Sequence, residues 1–204
     1  MSSEKRVTGK PQFDEAAVIA AAVQVFWRHG YAAASISDLT EATGLSRSSL
    51  YQRFRDKDGL FQEALADYLE RVLRRMEAAK GETVRARLDA LLRGFVLRPS
   101  ADRPAGCLIA RSCAELGDLS PGGRRAASAA ATSEREVLAK LLQDAKANGE
   151  LAPDADVEAM SWHYLGVLQA ALNLPQAGAD SDAINRMIDV AMSAWPNSFV
   201  GPAQ

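Results

Sequence analysis

A chain of 204 residues, 48% hydrophobic and 25% charged, is long enough and apolar enough to bury a real core, which excludes disorder throughout. Its formal net charge of −2 exerts no global pull toward polyanions, so any nucleic-acid surface has to come from local arrangement. The sequence contains no run of about 18 uncharged apolar residues and no apolar core behind the polar start Met1-Ser-Ser-Glu-Lys-Arg6, so neither a membrane helix nor a secretory signal is read and a cytoplasmic location is expected.

Ala- and Leu-rich segments without period-two alternation predict an all-α fold. The first ten or so residues are polar and expected to fray. Val18, Ala22, Val25, Phe26 and His29 recur at helical spacing over about 14–29, and Gly30 is expected to end that helix as a left-handed cap. Ser35 and Asp38 have the form of a capping box before a two-turn stripe of Ile36, Leu39 and Ala42, which Gly44 stops. Ser46 caps a third helix with Leu50 and Phe54 at i and i+4, and Asp56 opens a long fourth whose apolar face runs from Leu60 to Met76. Five further helices are predicted at about 83–97, 106–116, 120–149, 155–173 and 181–195, with Ser120-Pro121 as cap and first turn of the longest. Cys107 and Cys113 would stand about 9 Å apart along one helix and point about 240° apart, which closes no disulfide.

Two short helices joined by a glycine turn, the second opening with small polar residues and a cation, have the layout of a helix-turn-helix whose second helix enters the major groove. Leu50 and Phe54 would hold that helix to the core while Arg47, Ser48 and Ser49 face outward, where arginine can donate to guanine and serine can pair with several base edges. Ser35, Tyr51 and Lys57 can donate to phosphates. Charge agrees locally: between Gly44 and Lys57 the cations Arg47, Arg53, Arg55 and Lys57 meet only Asp56.

The runs Phe26-Trp-Arg-His-Gly-Tyr31, Ser35-Ile-Ser-Asp-Leu-Thr-Glu-Ala-Thr-Gly44, Leu45-Ser-Arg-Ser-Ser-Leu-Tyr-Gln-Arg-Phe54 and Lys57-Asp-Gly-Leu-Phe61 together resemble the DNA-binding domain of TetR/AcrR-family regulators. That resemblance implies a three-helix head, residues 1–60, on a six-helix body, residues 61–204, that dimerises and holds a small-molecule effector. It also implies a repressor released from a palindromic double-stranded operator by that effector. The family pattern carries over to Ser35 as a backbone contact, to Arg47, Ser48 and Ser49 as base-side positions, and to Tyr51 and Lys57 as phosphate contacts. Arg47 has two readings, base or phosphate. The body matches more loosely, at Gly106-Cys-Leu-Ile109, Glu115-Leu116 and Gly149-Glu-Leu151, and effector residues do not transfer.

Within the body, the helix at 155–173 is apolar almost all round and the last helix carries a wide stripe, so Leu165, Leu168, Leu172, Ile184, Met187, Ile188 and Trp195 are expected at a two-fold homodimer interface. An apolar effector pocket is expected between the helices at 83–116 and 155–173, walled by Phe95, Trp162 and Tyr164, with Cys107 and Arg111 beside it. Cys107 is read either as a sensor thiol activated by a helix N-terminus or as packing. No metal or cofactor signature is present, and His29 and His163 carry no triad or metal spacing, which argues against an enzyme.

Overall fold

The computed structural model describes residues 13–96 and 104–196, and these are helical: α1 (Glu15–Ala33), α2 (Ile36–Thr43), α3 (Arg47–Phe54), α4 (Lys57–Glu77), α5 (Val84–Gly94), α6 (Leu108–Ala114), α7 (Pro121–Ala147), α8 (Val157–Asn173) and α9 (Ser181–Ser193), with a 3-10 turn over Leu174–Ala177. Expectations for the first ten residues and for position 97 lie outside the described residues. Local chemistry accounts for the starts. Asp14, Ser35, Ser46, Asp56, Thr83, Ser120, Asp156 and Asp180 each accept a hydrogen bond from the third backbone N–H of the helix that follows, and Ser35 with Asp38 forms the complete capping box. Among the described α-helices, α6 alone starts on a residue, Cys107, whose side chain makes no cap.

α1, α2 and α3 gather around Phe26, Leu39, Leu50, Phe54 and Phe61, all nearly or fully inaccessible. The Phe26 and Phe61 rings meet edge-on at 5.3 Å and Tyr31 stands 5.0 Å from Phe61, so the start of α4 belongs to this head. α4 then continues along α7, which packs on α8, while α9 closes against α5 and α8. Among the described residues no helix is long and apolar enough to cross a membrane.

Gly30 departs from the sequence expectation. Its φ of 79° and ψ of 175° are not the left-handed cap geometry, and the helix resumes as far as Ala33 beyond a break. The break has a use. It turns the Tyr31 and Ala32 N–H groups onto the Glu115 carboxylate at 2.7 and 3.4 Å, and a Cβ on residue 30 would lie 2.0 Å from Glu115 Oε1. Arg111, one turn earlier on α6, pairs with the same carboxylate at 3.2 Å and donates to the Trp27 carbonyl at 3.5 Å. The head is thereby fastened to the body. Gly30→Ala combines a positive φ with this clash and is expected to cost at least about 2 kcal/mol, read by thermal denaturation; an unchanged midpoint would refute the fastening.

Candidate functional site

α3 is a two-turn helix held from one side only. Leu50 and Phe54 are 0% and 2% exposed, whereas Arg47, Ser48, Tyr51 and Gln52 stand in solvent and Ser49 is half-buried. The turn before it uses Gly44 at φ 68°, ψ 7°, a conformation that costs a residue without Cβ nothing. The Ser46 hydroxyl binds the Ser49 N–H at 3.1 Å and lies 2.9 Å from both the Ser48 and Ser49 hydroxyls, so three hydroxyls cluster at the helix N-terminus. An exposed helix start with free N–H groups, hydroxyl donors and a guanidinium suits an anionic, donor- and acceptor-rich partner. Gln52, on the same face as Ser48 and Ser49, was missed by sequence reasoning; its position at i+4 from Ser48 was the available signal.

The cation count of this segment shrinks in three dimensions. Arg53 is clamped between Glu15 and Glu63, with 3.1 Å to the latter, and the two carboxylates hold its guanidinium charged above its ordinary value. Lys57 lies 4.5 Å over the Tyr31 ring and donates to the Ala32 carbonyl at 3.4 Å, while burial pulls its pKa below the usual range. An ammonium has three donors, so Lys57 keeps capacity for a phosphate from an orientation already set. Arg47 and Arg55 are the exposed cations of the segment. Ser35 is exposed and engaged in its own cap: its hydroxyl donates to Asp38 at 2.7 Å and accepts from the Asp38 N–H at 3.1 Å.

Among the described residues, the lining expected of one body pocket does not come together, and parts of it fall in two separate cavities. One, about 310 Å3, is lined by Gly106, Cys107, Ala110, Arg111, Asn173 and Gln176 among others. The other, about 290 Å3, lies between α1 and α4 against Phe95 and Leu172. Of the anticipated lining, Cys107 and Arg111 therefore fall in the first and Phe95 in the second. Trp162 and Tyr164 line neither: Trp162 is 55% exposed beneath the Arg135 guanidinium, and Tyr164 is buried against Trp195 in the contact of α8 with α9. An amphipathic helix shows which residues are apolar, and its rotation was set by α7 and α9, which periodicity did not reveal.

The activated-thiol reading of Cys107 also fails on burial. At 2% exposure the thiol is pushed up to about 11, because desolvation and the nearby Glu134 outweigh the Ala110 and Ile109 N–H groups and the Tyr68 hydroxyl that favour the thiolate. Arg111, expected to help, is engaged by Glu115 instead. Glu134 is itself unusual. It is 0% exposed on α7, its Oε2 accepts from Gln169 Nε2 of α8 at 2.9 Å, and burial raises it to about 7. Glu134 Oε1 and Gln169 Oε1 are both buried with no donor.

The residues expected at a dimer interface need the same correction. Leu165, Leu168, Leu172, Ile184, Ile188 and Trp195 are all within the protomer's own core, at 7% exposure or less, and Met187 is half-buried against it. What α8 and α9 leave open is a different stripe: Ala159, Trp162, His163 and Gly166, with Val190 at 71% exposure on α9 and Ala194 beside it.

Comparison with known proteins agrees with this arrangement. Residues 18–64 match the profile described as bacterial regulatory proteins, tetR family, and residues 84–191 match the tetracyclin repressor-like C-terminal domain. The chain is 29% identical over 200 residues to the HTH-type transcriptional repressor ComR of Escherichia coli K12, covering 94% of each, and 30% identical over 188 residues to the uncharacterized HTH-type transcriptional regulator YezE of Bacillus subtilis 168, covering 89% and 96%. Among solved structures it is similar to a cysteine-substituted TetR-family regulator, CifR, complexed with 26-bp double-stranded operator DNA, at a TM-score of 0.81 and 32% identity over 92% of this chain and 100% of that one. With the exposed α3 on its glycine turn and a helical body behind it, both halves matched, the chain belongs to the TetR family of bacterial DNA-binding transcriptional regulators.

Proposed function

We propose that this chain acts in the cytoplasm as a homodimeric repressor that sets two copies of α3 into successive major grooves of a palindromic operator and is released by a small-molecule effector. The observation that carries the proposal is the one-sided anchoring of α3: two core residues fix its rotation, and Arg47, Ser48 and the half-buried Ser49 lie on the opposite side. The repressor name of ComR and the operator bound to CifR support it by likeness. Residues 1–60 form the DNA-binding unit in this reading and 61–204 the effector and dimer unit. Arg47, Ser48 and Ser49 face the bases, Tyr51 and Lys57 the phosphates, and Ser35 contributes by fixing the start of α2 beside the backbone. The effector shifts the population toward a spread of the two heads that no longer matches the operator, to the extent that it binds that spread more tightly.

Arg47→Ala is expected to cost about 1–3 kcal/mol on the operator and to relax the preference at one base position, whereas Lys57→Ala weakens all sequences alike and lowers the salt slope by about one. Fluorescence anisotropy on the chain's own upstream DNA, across a salt series, measures both. Unchanged binding in both variants sinks the assignment of α3.

A further inference from the structure

The two anchors of α3, Leu50 and Phe54, also determine which of its side chains points most directly away from the core. At about 100° per residue, Gln52 stands two positions from each anchor and therefore about 160° around the helix from both. Gln52 is exposed, and among the described residues its amide has no hydrogen-bond partner. The polar groups around it are already engaged. The Ser48 and Ser49 hydroxyls each lie 2.9 Å from that of Ser46, and the Arg53 guanidinium is held between Glu15 and Glu63. Beside Gln52 lies an open recess of about 450 Å3, lined by Phe13, Gly44, Ser46 and Ser49 among others, so the amide has room to turn.

We propose that Gln52 is a specificity-determining residue that reads an adenine in the major groove and so fixes one A·T pair in each half of the operator. A glutamine amide carries an acceptor and a donor side by side. Adenine offers the complement along its major-groove edge: the N6 amino group donates to Gln52 Oε1 while N7 accepts from Gln52 Nε2. The other bases fit worse. Guanine shows two acceptors, O6 and N7, so Oε1 would face O6; cytosine shows a donor alone, and thymine an acceptor beside a methyl group.

This role rests on the operator reading above and names the group that discriminates at one of its base pairs. Gln52 lies about 6 Å beyond Ser48 along the helix axis, close to two base-pair steps of about 3.4 Å. The adenine therefore falls about two pairs from the base met by the start of α3. Because the amide is neutral, Gln52 releases no counterion, and its contribution appears in the choice of sequence and not in the salt slope. Two-fold symmetry repeats the contact, with the adenine on opposite strands of the two half-sites.

Selection of bound duplexes from a random double-stranded library by the full chain, with wild type, Gln52→Ala and Gln52→Lys in parallel, tests the assignment. Fluorescence anisotropy on the selected duplex and its single-pair variants then gives the magnitude. Wild type is expected to enrich a two-fold consensus with a fixed adenine in each half, and replacing that pair weakens its binding about 5- to 150-fold. Gln52→Ala loses the preference at that pair alone and keeps its salt slope, and Gln52→Lys moves the preference toward guanine, whose O6 and N7 accept from an ammonium. Unchanged circular dichroism confirms the fold of each variant. The same consensus from wild type and Gln52→Ala, a lost preference for a base other than adenine, or a loss spread over every position would overturn the proposal. If wild type enriches no sequence at all, the operator reading itself falls and the role of Gln52 with it.

Discussion

A chain carrying Trp162→Glu and Val190→Glu is expected to be a folded monomer whose affinity for a palindromic operator is at least about a hundredfold weaker, because the second head no longer binds at high effective concentration. Both side chains stand in solvent in the protomer, at 55% and 71% exposure, so charging them removes no core contact; the Arg135 guanidinium over Trp162 would face a carboxylate instead of a ring. They flank a stripe in which Ala159, Gly166 and Ala194 carry little or no side chain, a surface that lets a second copy of α8 and α9 approach closely. A two-fold contact presents each residue to its own equivalent region, so each substitution places charge at the interface twice. Light scattering at micromolar concentration with circular dichroism on the same sample decides the matter. A double variant that stays dimeric defeats the assignment of this face. Glutamate at Leu168, fully buried, would instead unfold the protomer and test nothing about assembly.

Glu134→Gln is expected to remove a pH dependence from the stability of the body. The folded carboxyl is raised from 4.5 to about 7, so the native state holds this proton more tightly than the unfolded chain. The contribution is complete below about pH 4.5, declines as pH rises toward 7 and is lost above that. The difference across the window is of the order of 3 kcal/mol. Structurally, ionised Glu134 keeps its Oε1 buried without a donor, with only the Gln169 Nε2 bond to Oε2 to set against the loss of water. Tyr68 from α4 and Cys107 and Cys113 from α6 face the group with no positive charge to offset it. An amide at 134 is neutral and brings its own donor at every pH. The variant should match wild type near pH 4.5 and exceed it in thermal midpoint by about 5 °C or more at pH 8. Parallel pH profiles for the two proteins would show that Glu134 does not titrate in this window.

How far the sequence reached depended on the range of the interaction. Helix starts were legible because a cap involves residues three apart: Ser35 with Asp38, Ser46 with Ser49 and Ser120 with Gly123 are determined before any tertiary contact forms. The outward row of α3 was legible for a similar reason, since Leu50 and Phe54 alone fix the rotation of so short a helix. Family membership followed from the same fifty residues. The body was different. α8 is apolar on several faces, and packing against α7 and α9, its neighbours in the chain but outside the reach of its own periodicity, decided that Leu168 and Tyr164 turn inward while Trp162 turns out. Polar groups were likewise reassigned by distant ones: Arg53 by Glu15, Arg111, beyond its local pair with Glu115, by the Trp27 carbonyl, and the Cys107 thiol by burial beside Tyr68 and Glu134. Gly30 looked like a helix stop until Glu115, 85 residues on, occupied the space its missing side chain leaves. Capping and periodicity are local and are written in neighbouring residues. Desolvation, pairing and the rotation of an all-apolar helix depend on what arrives from elsewhere in the chain, and only the assembled helices determine that.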